Sequence, residues 1–398
     1  MSGWVACKLD ELGTLQRGRS RHRPRYAFHL YGGKYPFIQT GEIRAARKYI
    51  RKFEQTYNEI GLLQSKLWPK DTLCITIAAN IAELAILAFD ACFPDSVLGF
   101  LPDKNKVDLN FIYYTLTHFQ RELKHIGEGS VQDNINLGTF QNIEFPIPPI
   151  SEQKSIASIL TSLDEKIDLL HRQNATLESM AETLFRQWFV IEAKESWALV
   201  ELGEYVNCFN GVSYKSEDLK PSSKAMVTLK NFDRDGGFRL DGFKEFVGKH
   251  KKQHLVIQGD LVVAHTDITQ DAAVIGNPIL VVADPAYDEM VISMDLVKIT
   301  SKYEWLSNEF LYRMMRAKAF KQHCLGYSNG STVLHLSKEA IPSYEFFLPP
   351  VEKIREFTTQ TKSLLGKKFE NISQIRTLKK VHDALLPKLM SGEVRVKY

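Results

Sequence analysis

Residues 151–189 constrain this chain most. Within them Ile156, Leu160, Leu163, Ile167, Leu170, Leu177, Ala181, Leu184 and Trp188 recur at alternating steps of four and three, with one double step across Asn174. That spacing is the seam of a heptad helix, which buries a narrow stripe against a second helix rather than a broad face against a sheet. Asn174 lies on the seam itself, where an amide costs stability but fixes register by pairing with a polar partner. Residues 351–389 supply a second helix in the same chain. They open after Leu348-Pro349-Pro350 as the first helix opens after Ile147-Pro148-Pro149, and proline suits the boundary at a helix's first turn. The second stripe runs through Leu365, Phe369, Ile372, Ile375, Leu378 and Leu385. It is less regular: Lys368 and Asn371 stand where Ile167 and Leu170 stand in the first helix, Gly366 weakens the middle by about 1 kcal/mol, and Pro387 is expected to bend the end.

The rest of the chain repeats as well. Trp4 and Leu12-Gly13 are answered by Trp197 and Leu202-Gly203, Gly18-Arg19-Ser20 by Gly211-Val212-Ser213, and Trp68 to Asp71 by Val256 to Asp260. Gly129-Ser130 is answered by Gly330-Ser331, and Glu144-Phe145 before Pro148-Pro149 by Glu345-Phe346 before Pro349-Pro350. The offset drifts from roughly 190 residues to about 201, as loops of different length in two copies of one fold would produce. Each copy reads as a globular domain followed by a long helix. The fold class expected is α+β, with two globular domains separated by two long helices in an antiparallel coiled coil and a pseudo-two-fold internal repeat. Strands are expected at residues 35–40, 73–78, 84–89, 255–264, 272–275, 279–282 and 295–300, and shorter helices at 109–124 and 307–324. The tail after Gly392 is expected to return toward the first domain.

A chain of 398 residues that is 44% hydrophobic has material for two or three buried cores. Its five cysteines are scattered without paired spacing, which argues against a zinc site or a disulfide framework and for a reducing cytosol. No signal peptide is evident, and residues 73–93, the most apolar stretch, are interrupted by Asn80, Glu83 and Asp90 and read as two buried strands. Net charge is only +4 and does not by itself select a nucleic-acid partner. Its distribution does more: Arg17, Arg19, Arg21, Arg23 and Arg25 alternate with other residues, and Arg44, Arg47, Lys48, Arg51 and Lys52 follow, with few acidic residues before Glu54. Machinery for catalysis is not written here. Gly127-Glu128-Gly129 lacks the spacing and the lysine of a phosphate-cradling loop, and the histidines lack metal-ligand spacing.

Together these features resemble the specificity (S) subunits of type I restriction-modification enzymes. The resemblance rests on the order domain, helix, domain, helix over essentially the full length. It rests also on the phrases at 145–154, 184–189, 385–394, 37–43 and 330–336. It divides the chain into a first target-recognition domain (1–149), a central helix (150–192), a second target-recognition domain (193–350) and a C-terminal helix and tail (351–398). It implies that each domain reads one half of a gapped sequence in double-stranded DNA while the helices act as a ruler. The 156–188 seam spans roughly 48 Å, longer than one DNA turn. It further implies two methyltransferase (M) subunits docked on the chain, restriction (R) subunits in the full complex, and a cytoplasmic location. The Asn-Pro-Pro-aromatic motif of an adenine methyltransferase has only a partial match at Asn277-Pro278-Ile279. The S subunit is thus expected to have no catalytic site, metal or cofactor of its own, with S-adenosylmethionine and Mg-ATP on the partners.

Each candidate DNA contact has a plainer reading. The arginine run from Arg17 to Arg25 is either a solvated loop or a set of phosphate contacts, the second favoured because the guanidinium groups repel one another without an anion. Arg44, Arg47, Lys48 and Arg51 extend it. Gln39 and Thr40 either cap a turn or address an adenine edge. In the second domain His265, Thr266, Asp267 and Gln270 are candidate base contacts, which loop polarity explains nearly as well, and Lys215, Lys230, Asn231 and Arg234 are candidate backbone contacts. Asn80 reads as a turn former. From a different class, the rival function is a coiled-coil protein scaffold whose basic patches are incidental.

Overall fold

Val5–Lys8 pairs antiparallel with Glu144–Ile147, so the chain enters and leaves its first half on neighbouring strands, the second ending at the Pro-Pro step. Leu199–Glu201 pairs in the same way with Glu345–Phe347 in the second half. The structure is a computed structural model that describes residues 3–22, 24, 27–78, 80–128, 137–233, 237–267, 271–330 and 333–396. The fold is α+β. Two units are distinguished, one made of Met1–Leu169 with Thr377–Tyr398 and the other of Leu170–Arg376.

Sheet topology repeats between them. In the first unit Gly13–Arg17, Val97–Pro102, Leu73–Thr76 and Leu84–Leu87 lie side by side and antiparallel, with Tyr49–Ile50 added parallel at the edge. In the second, Val206–Asn210, Leu296–Ser301, Leu261–Ala264 and Pro278–Leu280 take the same order and sense. Each unit adds a four-stranded sheet whose two middle strands are parallel: Tyr31–Phe37 beside Ala91–Cys92, and Lys224–Val227 beside Glu289–Ile292. The repeated glycines have a physical cause. A Cβ on Gly18 would lie 2.3 Å from the carbonyl of Pro94, and one on Gly211 would lie 2.1 Å from that of Ser293. In both copies the chain leaves its strand by passing directly over another backbone segment.

A helix covers each first sheet. Phe111, Ile112 and Tyr114 of Leu109–Glu128 close on Leu73, Ile75, Ile86 and Phe100, and Phe310, Leu311 and Met314 of Asn308–Arg316 close on Leu261, Val263 and Ile299. Several local expectations are corrected. The strand expected at 35–40 ends at Phe37, and Thr40 opens a short helix, Thr40–Ala45. The strand expected at 255–264 is two, Leu255–Val256 and Leu261–Ala264, because Gly259 (φ +86°) turns the chain into a different sheet. Residues 272–275 form no strand, and the helix expected at 307–324 breaks at Ala317 into Asn308–Arg316 and Lys318–Gly326.

The long helices are Ile150–Arg186, prolonged by a π-helical turn at Gln187–Ile191, and Val351–Met390, which runs through Pro387. Segments of both belong to each unit, and in each they pack antiparallel. In the first unit Ile156 and Leu160 share a core with Leu389 and Met390, and buried Glu152 accepts from Arg395 Nε and Nη2 at 2.6 and 2.9 Å. His382 Nε2 lies 3.8 Å from Asp164. The tail therefore packs in the first unit. In the second unit Asn174 meets Asn371, Glu178 meets Lys368, and Phe185 meets Phe357, partners falling in number as the first helix advances. Ile156, Leu160, Ile167 and Leu170 are buried, whereas Leu163, Asn174, Leu177, Leu184, Leu365, Phe369, Ile372, Leu378 and Leu385 are half-buried. Phe185, Ile354 and Phe357 are buried too, through contact with the second domain's core.

The polar break at Asn371 in the second helix faces the polar break at Asn174 in the first, and Lys368 reaches Glu178 beside the seam. Asn371, 1% exposed, donates from Nδ2 to Asn174 Oδ1 at 2.9 Å, while its own Oδ1 has no hydrogen-bond partner among the described residues. Replacing Asn174 alone by leucine is expected to lower stability by about 1–3 kcal/mol, since it leaves the buried Asn371 amide only the long 3.4 Å hydrogen bond to Gln173 Oε1. Replacing both should recover that loss, because two leucines leave nothing unsatisfied. Chemical denaturation of the two variants checks this; equal losses in both would show that the amide pair adds net stability.

Candidate nucleic-acid interface

The strand Gly13–Arg17 delivers the arginine run to the surface, and the alternation of arginine with small residues acquires a structural sense. Gly18 and Ser20 face inward and are buried, Arg17 and Arg21 are exposed, and Arg19 is half-buried. The backbone is pinned from below: Gly18 N–H donates to Val97 O and Arg19 N–H to Phe93 O. Arg19 is held in place reciprocally, its Nε donating to Ser65 O at 2.8 Å while Ser65 Oγ donates to Arg19 O at 2.7 Å. Beside it stands Lys66, whose Nζ donates to Gln16 Oε1 and lies 3.7 Å from the centre of the Trp68 ring. Burial and the neighbouring Arg19 guanidinium push the Lys66 ammonium below its ordinary pKa. Among the described residues none of Arg17, Arg19, Arg21 and Lys66 has an ion-pair partner. Like charges gathered in this way form a ready anion site. Arg23 and Arg25 lie outside the described residues.

The second basic cluster divides between exposed and buried members. Arg47 Nη1 lies 3.5 Å and Arg51 Nη1 3.8 Å from the Asp168 carboxylate on the central helix, and Arg44 donates to Asn80 Oδ1 at 3.1 Å. All three side chains stay largely exposed. Lys48 does not: it is 5% exposed, and its ammonium donates to Tyr114 Oη and Thr161 Oγ1, both at 2.9 Å. Burial pushes it down to about 8, against the pull of Asp164, Glu165 and Asp108. As a direct DNA contact Lys48 is therefore corrected. Gln39 and Thr40 sit half-buried at a helix N-terminus rather than at a strand end, Gln39 N–H donating to Glu42 Oε2 and its Nε2 to Gln55 Oε1.

Within the second unit Lys215 and Lys230 are exposed, Lys215 lying 3.8 Å from Glu217. Three candidates there are corrected because they are buried and occupied. Asn231 is fully buried, its Oδ1 accepting from Thr228 N–H and its Nδ2 donating to Arg239 O. Thr266 donates to Asp295 Oδ1, and Asp267, 2% exposed, accepts from the N–H groups of Val274 and Ile275. Asp267 is thus a loop clamp and the reason that residues 272–275 are not a strand. His265 is half-buried and pushed below its ordinary pKa by burial and by nearby His335. Arg234 and Gln270 lie outside the described residues. Lys66 is the candidate that sequence reading missed; its only signal was a lysine two residues before a tryptophan, and the fold brings it from a different sheet to Gln16 and Arg19.

Among the described residues no helix is long and apolar enough to cross a membrane. Residues 1–179 match the family model for the type I restriction modification DNA specificity domain. The MjaIX specificity subunit of the type I restriction enzyme of Methanocaldococcus jannaschii is 24% identical over 99% of this chain and 94% of its own length. The HindI specificity subunit of Haemophilus influenzae is 24% identical over 99% of this chain and all of its own length. Among solved structures, the S subunit of a type I restriction-modification system from M. genitalium shares the fold. Its TM-score is 0.63 at 18% identity, covering 97% of this chain and 96% of that one. Two copies of one strand order, the two long helices and these matches point the same way: residues 1–179 match the type I specificity domain, and the chain is similar over its length to specificity subunits of type I restriction-modification systems.

Proposed function

We propose that this chain is the non-catalytic, DNA-reading subunit of a type I restriction-modification enzyme, at work in the cytoplasm. Each unit reads one half of a gapped site in double-stranded DNA. The chain positions two M subunits for adenine methylation and R subunits for cleavage, with S-adenosylmethionine and Mg-ATP held by those partners. The observation that carries this reading is the cationic patch of Arg17, Arg19, Arg21 and Lys66, unneutralised within the described protein and mounted on a fold that occurs twice in the chain. Arg17, Arg19 and Arg21 serve as backbone contacts. Bases are read by less charged loops, among which Gln39, Thr40 and His265 remain candidates.

The test is the salt dependence of duplex binding by the chain assembled with its M subunit. Neutralising several phosphates makes log affinity fall linearly with log salt, by about 0.9 for each contact. A steep slope together with a preference for one gapped sequence is expected. Negligible duplex affinity in a stable assembly would favour a protein scaffold instead.

A further inference from the structure

Lys48 belongs to a part of the first unit that has no counterpart in the second among the described residues. It directly precedes Tyr49–Ile50, the strand added parallel at the edge of the first sheet, whereas the corresponding sheet of the second unit stops at Pro278–Leu280. Its ammonium sits 4.5, 5.4 and 5.6 Å from the ring centres of Tyr114, Tyr113 and Tyr49. Tyr114 Oη, which accepts from Lys48, donates in turn to Asp164 Oδ2 at 2.6 Å. Thr161, Asp164 and Asp168 recur at helical steps of three and four and so share one face of the central helix. Arg47 and Arg51 reach the last of them from the same segment that carries Lys48. Lys48, Arg47 and Arg51 thus form a polar seam between the recognition domain and its helix, with Lys48 buried in it and both arginines more than half exposed.

An apolar contact would hold the two together at least as well, because burying an ammonium costs solvation that its partners only partly return. Directional hydrogen bonds add something that apolar packing does not: a defined angle and rotation of domain on helix. One additional base pair in a spacer moves a half-site by about 3.4 Å and turns it by roughly 35°. A reader on a loose mount would follow that change, and one on a fixed mount would not.

We propose that Lys48, with Tyr114, Thr161 and Asp164, is the joint that fixes the first recognition domain on the central helix and so sets which spacer lengths the enzyme accepts. Lys48 is a positioning residue and touches no base. The inference rests on the bipartite reading given above.

The experiment uses the chain assembled with its M subunits and measures methylation rates on three duplexes, with the native spacer and with one base pair more or fewer. Lys48→Met and Thr161→Val are compared with wild type, and thermal stability is recorded alongside. In both variants native-spacer methylation is expected to persist while discrimination against the altered spacers falls by about tenfold, the scale of one lost base-pair match. The midpoint of Lys48→Met is expected to equal or exceed that of wild type. Unchanged discrimination in both variants overturns the joint, as does an equal loss on all three duplexes, which would mark a packing role only. If Lys48→Met does not fold, Thr161→Val alone decides between these outcomes. A wild-type enzyme that shows no gapped-site preference overturns the bipartite reading itself, a result separable from the others because it appears before any substitution.

Discussion

Glu178→Ala is expected to destabilise the second unit by about 3–5 kcal/mol, the cost of leaving buried cations without their counter-charge. Glu178 Oε1 accepts from Arg313 Nη1 and Oε2 from Lys368 Nζ, each at 2.6 Å, while Tyr312 Oη donates at 3.1 Å and Arg316 stands 3.9 Å away. The side chains of Arg313, Lys368 and Glu178 are 9, 15 and 16% exposed, too little for water to replace the carboxylate. This one group ties the central helix to the C-terminal helix and to Asn308–Arg316 inside the second unit. It also explains why a lysine is tolerated at position 368 of the seam.

The same cluster predicts an acid limb. Burial alone would push the Glu178 carboxyl up, but Lys368 and Arg313 hold it at about 2, below its ordinary 4.5. The folded value lies below the unfolded one, so the contribution is complete above about pH 4.5 and is lost as pH falls toward 2. A shift of this size corresponds to about 3 kcal/mol. Urea denaturation at pH 7 and at pH 3 should show wild type losing part of that amount and Glu178→Ala losing little. A variant within about 1 kcal/mol of wild type at pH 7 would mean that the cluster stays hydrated.

The second large effect concerns DNA. The combined change of Arg17, Arg19 and Arg21 to alanine is expected to weaken binding to all duplexes alike and to lower the salt slope by about 2.7, if each guanidinium neutralises one phosphate. Lys66→Ala should remove about one further contact. The four side chains have no ion-pair partner among the described residues, so their loss strands no internal carboxylate and the fold should survive. Binding at varied salt, with one cognate and one unrelated duplex, measures both quantities. An unchanged slope would place the phosphate path elsewhere on the molecule.

The architecture was legible because its signals are periodic or repeated. The heptad seam, the Pro-Pro steps and the paired glycines each have one dominant physical cause: helix packing, helix initiation, and backbone passing over backbone at Gly18 and Gly211. Charge was less legible, because sequence records that a lysine is present and not which way it points. Lys48 and Arg51 lie three residues apart, yet one is buried among tyrosines and the other is on the surface. Asn231 and Asp267 stand in polar loops and read as contacts. Their partners are backbone N–H and C=O groups that only the folded loop brings near. The break at Ala317 escaped for the same reason, since both halves of 307–324 carry helical periodicity and only their separate packing divides them.

The measurement closest to the central claim is a genome-wide map of methyladenine in a host without such systems, after co-expression of this chain with its M subunit. One gapped motif, present with the chain and absent without it, is the predicted result, and it would give both half-sites and the spacer together. An active M subunit in a stable assembly that leaves no new motif would contradict the account.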